Sequence, residues 1–240
     1  MHALSILNTL KLNSRLKFDQ ILPAQPCVLC GTMSHAGLWC TACDYEMPYF
    51  DAPHCPVCAR NTPDGSLCGH CLTHPPAFHH TLAVFSYQFP IDQLIQSLKY
   101  HSQLPLAPML AKKLLDRIDE IPDLVIPMPL HPVKLKDRGF NQASLIATPI
   151  ARKLGVPLNE TACHRLRNTP SQTSLPWCER ERNVRDAFDC TLDLSGKHIA
   201  LVDDVLTSGA SMNELARAVQ KWGANKISVW VAARATSNLR

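Results

Sequence analysis

Eight of the eleven cysteines lie between Cys27 and Cys71, and all eight fall in C-x-x-C pairs: Cys27/Cys30, Cys40/Cys43, Cys55/Cys58 and Cys68/Cys71. Adding 28 to any cysteine of the first two pairs gives one of the last two, so a unit C-x2-C-x9-C-x2-C occurs twice with 11 residues between copies. A C-x-x-C pair folds as a tight turn that aims both sulfurs at one ion. Two such turns close a tetrahedral thiolate cage, which suits zinc as a structural ion. A segment so poor in large apolar residues has little core of its own, and metal binding has to supply much of its folding free energy. Redox dithiols do not come in fours at a fixed period, and a secreted disulfide framework does not fit the pairing. Two zinc ions are therefore expected on Cys27, Cys30, Cys40, Cys43, Cys55, Cys58, Cys68 and Cys71. Neighbouring pairs can share an ion, or the pairs can interleave; the spacing leaves both open. His35, His54 and His70 lie nearby but are surplus to eight thiolates. A site closed by four thiolates leaves no position for water, so the segment is structural and not catalytic.

The N-terminal stretch "MHALSILNTLKLNSRLKFDQ" carries Leu4, Leu7 and Leu10 at near-helical spacing, without the continuous apolar run or small-residue cleavage site of a secretory signal. It reads as a short amphipathic helix on a cytoplasmic protein. No apolar run approaches the roughly 20 residues that span a bilayer, so no stable membrane insertion is expected. The net charge of +4 gives the chain no overall polyelectrolyte character.

After "THPPAF" the pattern changes. "TLAVFSYQF", "DLVIPMP", "HIALVDD" and "KISVWVAA" read as strands, and "PIDQLIQSLKY", "LAPMLAKKLLDRI", "NQASLIATPIARKLG" and "SMNELARAVQKWG" as helices. Strands alternating with helices imply a mainly parallel sheet covered by flanking helices, an α/β architecture. The expected division is 1–76 for the helix and cysteine repeat and 77–240 for the α/β domain. The polar stretch from Leu158 to Leu194 fits neither period and reads as a long functional loop.

The stretch "IALVDDVLTSGAS" carries the chemistry. A buried strand ends in Asp203 and Asp204, and parallel sheets bind ligands at the carboxyl ends of their strands. The residues that follow supply the hydroxyls of Thr207, Ser208 and Ser211, the conformational freedom of Gly209, and the N–H groups of a helix start, which together make an anion site. Two carboxylates beside it would repel a polyphosphate but accept hydrogen bonds from the vicinal hydroxyls of a sugar. A ribose 5-phosphate satisfies both halves.

This pattern resembles the phosphoribosyl pyrophosphate (PRPP) motif of type I phosphoribosyltransferases. "VIPMPLHPVKLKDRGFNQASLIA" and "HRLRNTPSQTSLPWCERERNVRDAF" resemble segments of the ComF/GntX family, competence-associated proteins with a phosphoribosyltransferase-like domain behind a double zinc ribbon. The resemblance extends to "ILPAQPCVLCG" and covers nearly the whole chain. Both middle segments are also similar to glutamine-PRPP amidotransferase, whose glutamine-hydrolysing domain is missing here.

The resemblance implies a PRPP site with magnesium. Asp203 and Asp204 would take the ribose hydroxyls, and Val205, Leu206, Thr207, Ser208, Gly209, Ala210 and Ser211 would wrap the 5-phosphate. Arg138 and Gly139 would belong to the pyrophosphate loop, and Arg165 and Arg167 to a closing lid. Arg138, Arg165 and Asp204 would serve catalysis, since positive charge tightening on a departing pyrophosphate stabilises the transition state. Between His131 and Arg185 ten Lys and Arg face four acids, which fits such a role. Acceptor choice would lie between Phe85 and Tyr100.

The family likeness further implies single-stranded DNA as a partner, import of transforming DNA as the role, and a competence-machinery helicase as a companion. Trp39 and Trp177 would either stack on bases or pack inside. The alternative is a magnesium-dependent phosphoribosyltransferase with an acceptor the sequence does not name, unrelated to DNA uptake. The sequence carries no nucleophilic triad, and positioning with electrostatics suffices for such chemistry.

Overall fold

The computed structural model describes residues 24–168 and 184–235. The expected N-terminal helix and Trp177 fall outside them. The chain divides into two compact units, Met1–Glu46 and Met47–Arg240.

In the smaller unit, β1 (Gln25–Pro26) pairs antiparallel with β2 (Met33–Ser34), and α1 (Thr41–Tyr45) follows. The turn between the strands is closed by the Cys27 N–H donating to the Thr32 carbonyl at 2.8 Å and the Gly31 N–H to the Cys27 carbonyl at 2.8 Å. Among the unit's described residues Trp39 is the largest buried side chain, 1% exposed, and its Nε1–H donates to Asp44 Oδ1 at 2.7 Å. Its ring has no open face for a base to stack on.

The larger unit begins with the second cysteine unit, including α2 (Gly69–Thr73). It continues through β3 (His80–Ser86), α3 (Ile91–Tyr100), α4 (Leu106–Leu115), β4 (Leu124–Pro127), α5 (Pro132–Arg138) and α6 (Gln142–Leu154). It closes with β5 (Cys163–Arg165), β6 (Phe188–Cys190), β7 (His198–Leu206), α7 (Ala210–Lys221) and β8 (Lys226–Arg234). The main sheet has the order β3-β8-β7-β4, and every pairing in it is parallel. Residues 199–202 of β7 and 227–233 of β8 are buried throughout, as a sheet covered on both faces requires. Ile199, Leu201, Ile227 and Val229 share one apolar cluster with Leu215, Ala216 and Val219 of α7. α4 and α6 pack on each other, α4 also on β8 and α6 also on β7.

The expected α/β fold is present, with three local differences. β7 runs two residues beyond Asp204 because β8 stays paired with it to the end, Leu206 opposite Arg234. A short helix, α5, stands where only a loop was expected. The stretch from Leu158 to Leu194 is not a bare loop: β5 and β6 pair antiparallel there, Cys163 opposite Cys190.

Candidate functional site

Within each cysteine unit the four sulfurs lie within 4.8 Å of one another, as Cys27, Cys30, Cys40 and Cys43, and as Cys55, Cys58, Cys68 and Cys71. Neighbouring pairs therefore share a site, and the interleaved arrangement is excluded. The Cys30 and Cys40 sulfurs are 3.8 Å apart and those of Cys58 and Cys68 3.6 Å. A tetrahedron with Zn–S bonds of about 2.3 Å has edges of about 3.8 Å, so the donor sets fit zinc. Backbone N–H groups point at the sulfurs, Cys40 N to Cys27 Sγ at 3.3 Å and Cys43 N to Cys40 Sγ at 3.5 Å. Burial works against ionisation of Cys27 and Cys55, yet such N–H groups bring them down to about 6 and about 7. His35 and His70 are exposed, and His54 Nδ1 meets the Ala52 carbonyl at 2.7 Å. None of the three joins a cage.

The second site is a cleft of about 200 Å³ at the carboxyl end of the sheet. It exists because β4 stops short: Pro127 pairs with Val202, and β7 runs on alone on that side through Asp203 and Asp204. Asp204 is 2% exposed and forms an ion pair with Lys99 of α3. Gln142, the first residue of α6, donates from Nε2 to Asp204 Oδ1 at 3.5 Å. The Asp204 N–H donates to Asp203 Oδ1 at 2.8 Å.

The neighbouring acids titrate in opposite directions. Burial raises both, and for Asp203 the adjacent Asp204 carboxylate adds to it, so Asp203 stays well above the usual range. For Asp204 the Lys99 ammonium, together with hydrogen bonds from Lys99, Asp203 and Gln142, outweighs burial and holds the carboxyl below it. Ionisation is thus favoured at Asp204 and disfavoured at Asp203.

Lys134 of α5 and Arg165 of β5 also line the cleft. Burial and the positive charges of Arg165 and Arg138 lower the Lys134 pKa, placing three cations around one region. The Arg165 guanidinium lies over the Phe188 ring at 5.3 Å, so the β5–β6 ribbon aims it. Arg138 does not line the cleft. Its Nη1–H donates to Gln142 Oε1 at 2.5 Å, and its guanidinium sits 5.4 Å from the Tyr100 ring centroid, so it reaches Asp204 only through Gln142. Gly139 caps α5 with φ +82 and also stands outside the lining. Arg167 donates to the Arg185 carbonyl.

The loop after β7 is short. Gly209 has φ +85, and a Cβ there would meet nothing within 4 Å, so glycine is required by conformation and not by space. Val205, Leu206, Thr207, Gly209 and Ser211 line the cleft with the two acids. Ser208 and Ala210 line a second cavity of about 680 Å³ on the other side of the same loop, where the second cage forms a wall. Phe85 is fully buried in β3, whereas Tyr87 and Lys99 reach the cleft.

The sequence reading did not single out Lys99 or Gln142. Both had a signal. Lys99 is four residues from Ile95 and eight from Ile91, on the buried face of α3, and Gln142 stands likewise to Ile146 and Ile150 on α6. A charged or polar side chain on an apolar helix face needs a partner.

Two families match the chain: a double zinc ribbon domain over residues 18–72 and a phosphoribosyl transferase domain over residues 141–239. "DNA utilization protein YhgH" of Escherichia coli (strain K12) is 32% identical over 219 residues, which is 87% of this chain and 96% of that one. "Competence protein F" of Haemophilus influenzae is 30% identical over 208 residues, 82% of this chain and 90% of its own. "Competence protein ComFC" of Bacillus subtilis is 23% identical over 199 residues, 77% of this chain and 78% of its own. No helix among the described residues is long and apolar enough to cross a membrane.

Proposed function

Because the chain belongs to the family of competence protein F, joining a double zinc ribbon to a phosphoribosyl transferase domain, we propose that its cleft binds PRPP with magnesium and that the protein acts in the cytoplasm to bring in transforming single-stranded DNA. The observation that carries the PRPP reading is the acid pair on the overhanging end of β7, directly followed by a glycine-bearing loop and the start of α7. Asp203 and Asp204 accept hydrogen bonds from the ribose hydroxyls and offer carboxylate oxygens to a hard cation. Thr207, Gly209 and Ser211 give N–H and hydroxyl donors to the 5-phosphate. Lys134 and Arg165 face the pyrophosphate. Arg138 acts one step back, orienting Gln142 and thereby the Asp204 carboxylate.

Calorimetry with PRPP and Mg2+ tests the site. Wild type binds, and Asp203→Asn or Asp204→Asn weakens binding by about tenfold or more, since a charge-assisted hydrogen bond contributes about 1.5–3 kcal/mol. Unchanged binding in the double variant refutes the assignment.

A DNA partner is supported by the name "DNA utilization protein" of a relative, and its single-stranded form by the cations of α5 and β5, which suit a bare phosphate backbone. Binding should weaken steeply with salt, about 0.7 counterion being released per neutralised phosphate. A helicase of the uptake machinery is the partner such a role requires. A deletion strain of a naturally competent host should fail to carry strands inward, and full transformation by that strain removes the DNA reading. The second reading, a transferase with an unassigned acceptor, is favoured by Lys134 and Arg165 lining the same cleft as the acid pair. Pyrophosphate release from PRPP with candidate acceptors, abolished in Asp204→Ala, would establish it.

A further inference from the structure

Arg234, the last residue of β8, is 3% exposed, and among the described residues no carboxylate pairs with it. Its guanidinium donates from Nε to the carbonyl of Cys58 at 3.0 Å. From Nη1 it donates to the carbonyls of Leu206 at 2.9 Å, Thr207 at 2.5 Å and Ala235 at 2.6 Å. One edge of the planar fork therefore grips the second cysteine cage, and the other grips the two residues that begin the phosphate loop.

A buried guanidinium cannot shed its proton and needs compensating charge. The groups whose charge bears on it are the sulfurs of Cys58, Cys68 and Cys55, with Arg60 as the opposing cation. A zinc ion on four thiolates leaves the cage with roughly two negative charges. The loaded cage thus supplies both the counter-charge and the fixed carbonyl that hold Arg234 in place. Thr81 holds the same turn from the other side, its N–H donating to the Pro56 carbonyl at 3.1 Å and its hydroxyl to the Val57 carbonyl at 2.6 Å. The turn is thus held by hydrogen bonds from both β3 and β8.

We propose that Arg234 is a positioning residue that ties the conformation of the phosphate loop to the second cage, so that the metal site and the loop stabilise each other. Only the ligand arm of the test below rests on the PRPP reading. Coupling of this kind is reciprocal: whatever orders the loop must also hold the metal more tightly.

Hydrogen exchange on the full-length, ligand-free protein tests the link directly. In Arg234→Lys the ammonium cannot span both carbonyl groups. With zinc content still at two per chain, the amides of residues 207–211 should exchange at least tenfold faster, while those of Val125 and Ile126 in β4 stay unchanged. A general loosening would speed both sets and overturn the proposal, as would an unchanged loop. Arg234→Met should give the same pattern; if it does not fold, Arg234→Lys decides alone.

The second arm measures zinc transfer to a colorimetric chelator in a Cys30→Ser background, where the second cage alone is loaded. Mg2+ with PRPP should slow transfer severalfold, and Arg234→Lys should abolish the slowing. PRPP that binds by calorimetry yet leaves transfer untouched overturns the link. PRPP that does not bind at all overturns the PRPP reading, and loop exchange then decides the role of Arg234.

Discussion

The two cysteine cages repeat the same spacing but occupy different settings. In the first, only Cys27 is buried and Cys30 is exposed, and the described residues around it form two two-residue strands and a five-residue helix beside the buried Trp39. In the second, Cys55, Cys68 and Cys71 are buried, and the turn carbonyls of Pro56, Val57 and Cys58 accept bonds from Thr81 and Arg234 of the main sheet. Ala59, at the end of that turn, is fully buried in the same cluster as Phe50 and Phe78. Identical ligand chemistry therefore does different structural work. Metal free energy in the first cage holds its own short segment, and in the second it holds the edge of the α/β core.

The largest expected effect breaks the symmetry between them. Zinc sites of this kind contribute about 10–16 kcal/mol of apparent binding free energy, as much as a typical domain's whole stability. Cys30→Ser should lower zinc from two to one per chain by elemental analysis and leave the thermal transition of the larger unit in place. Cys55→Ser should remove the other ion and abolish that transition. Equal behaviour of the two variants would mean the cages are energetically alike.

That difference was not legible in the sequence. The repeat revealed the ligands and their number, because cysteine spacing is a direct statement about metal geometry. It could not reveal that the second copy is stitched to β3 and β8, because the stitches end on backbone carbonyls, which every residue has. The acid pair and Gly209 stood out for the opposite reason: the cleft is lined by the two side chains, and the positive φ of Gly209 asks for the lack of one. α5 was missed although Pro132 at its start and Gly139 at its end mark it, since Pro127, Pro129 and Pro132 together read as a break. β5 and β6 were missed because three-residue strands are too short to show alternation. Lys99 and Gln142 were missed because helix faces were read for their apolar members, and the informative residue was the polar one among them.

Within the larger unit, the Lys99–Asp204 pair offers a charge test that owes nothing to metal. Breaking a buried pair from one side costs about 3–5 kcal/mol, because the other charge stays buried. Lys99→Met should lower denaturant stability of the larger unit by about 3 kcal/mol, and adding Asp204→Asn should restore most of it. A double variant no better than the single would deny that charge is the cause. Both cages should keep their zinc throughout, which separates this loss from the loss caused by Cys55→Ser.

A smaller effect follows from Asp203. Its pKa in the fold is raised, so the stability it contributes is fully present below the ordinary carboxylate value and is lost as pH rises through the raised value. Asp204 has the opposite sign: its contribution is present above the ordinary value and is lost as pH falls through the depressed one. Asp203→Asn should therefore match wild type near pH 4 and exceed it at pH 8, a tenfold difference in proton affinity between folded and unfolded chain being worth about 1.4 kcal/mol. Comparing variant with wild type at each pH cancels the proton dependence of the thiolates. A variant less stable than wild type at pH 8 would reverse the assignment of the two acids.

The smallest effects give the finest comparison of the two cage settings, because they remove one hydrogen bond from each. Thr81→Val deletes the hydroxyl that donates to the Val57 carbonyl at 2.6 Å and keeps the side-chain shape. Trp39→Phe deletes the Nε1–H that donates to Asp44 Oδ1 at 2.7 Å and keeps an aromatic ring in the same place. Each bond should contribute about 1 kcal/mol. In the second cage that loss reaches the whole α/β unit, since the turn and the sheet are one cooperative body, and it should appear as a shift of several degrees in the main thermal transition. In the first cage it should leave that transition untouched and appear as faster zinc transfer from the smaller unit alone. A main transition that moves equally for both variants would show that the two units unfold together, and that the first cage supports more than its own segment.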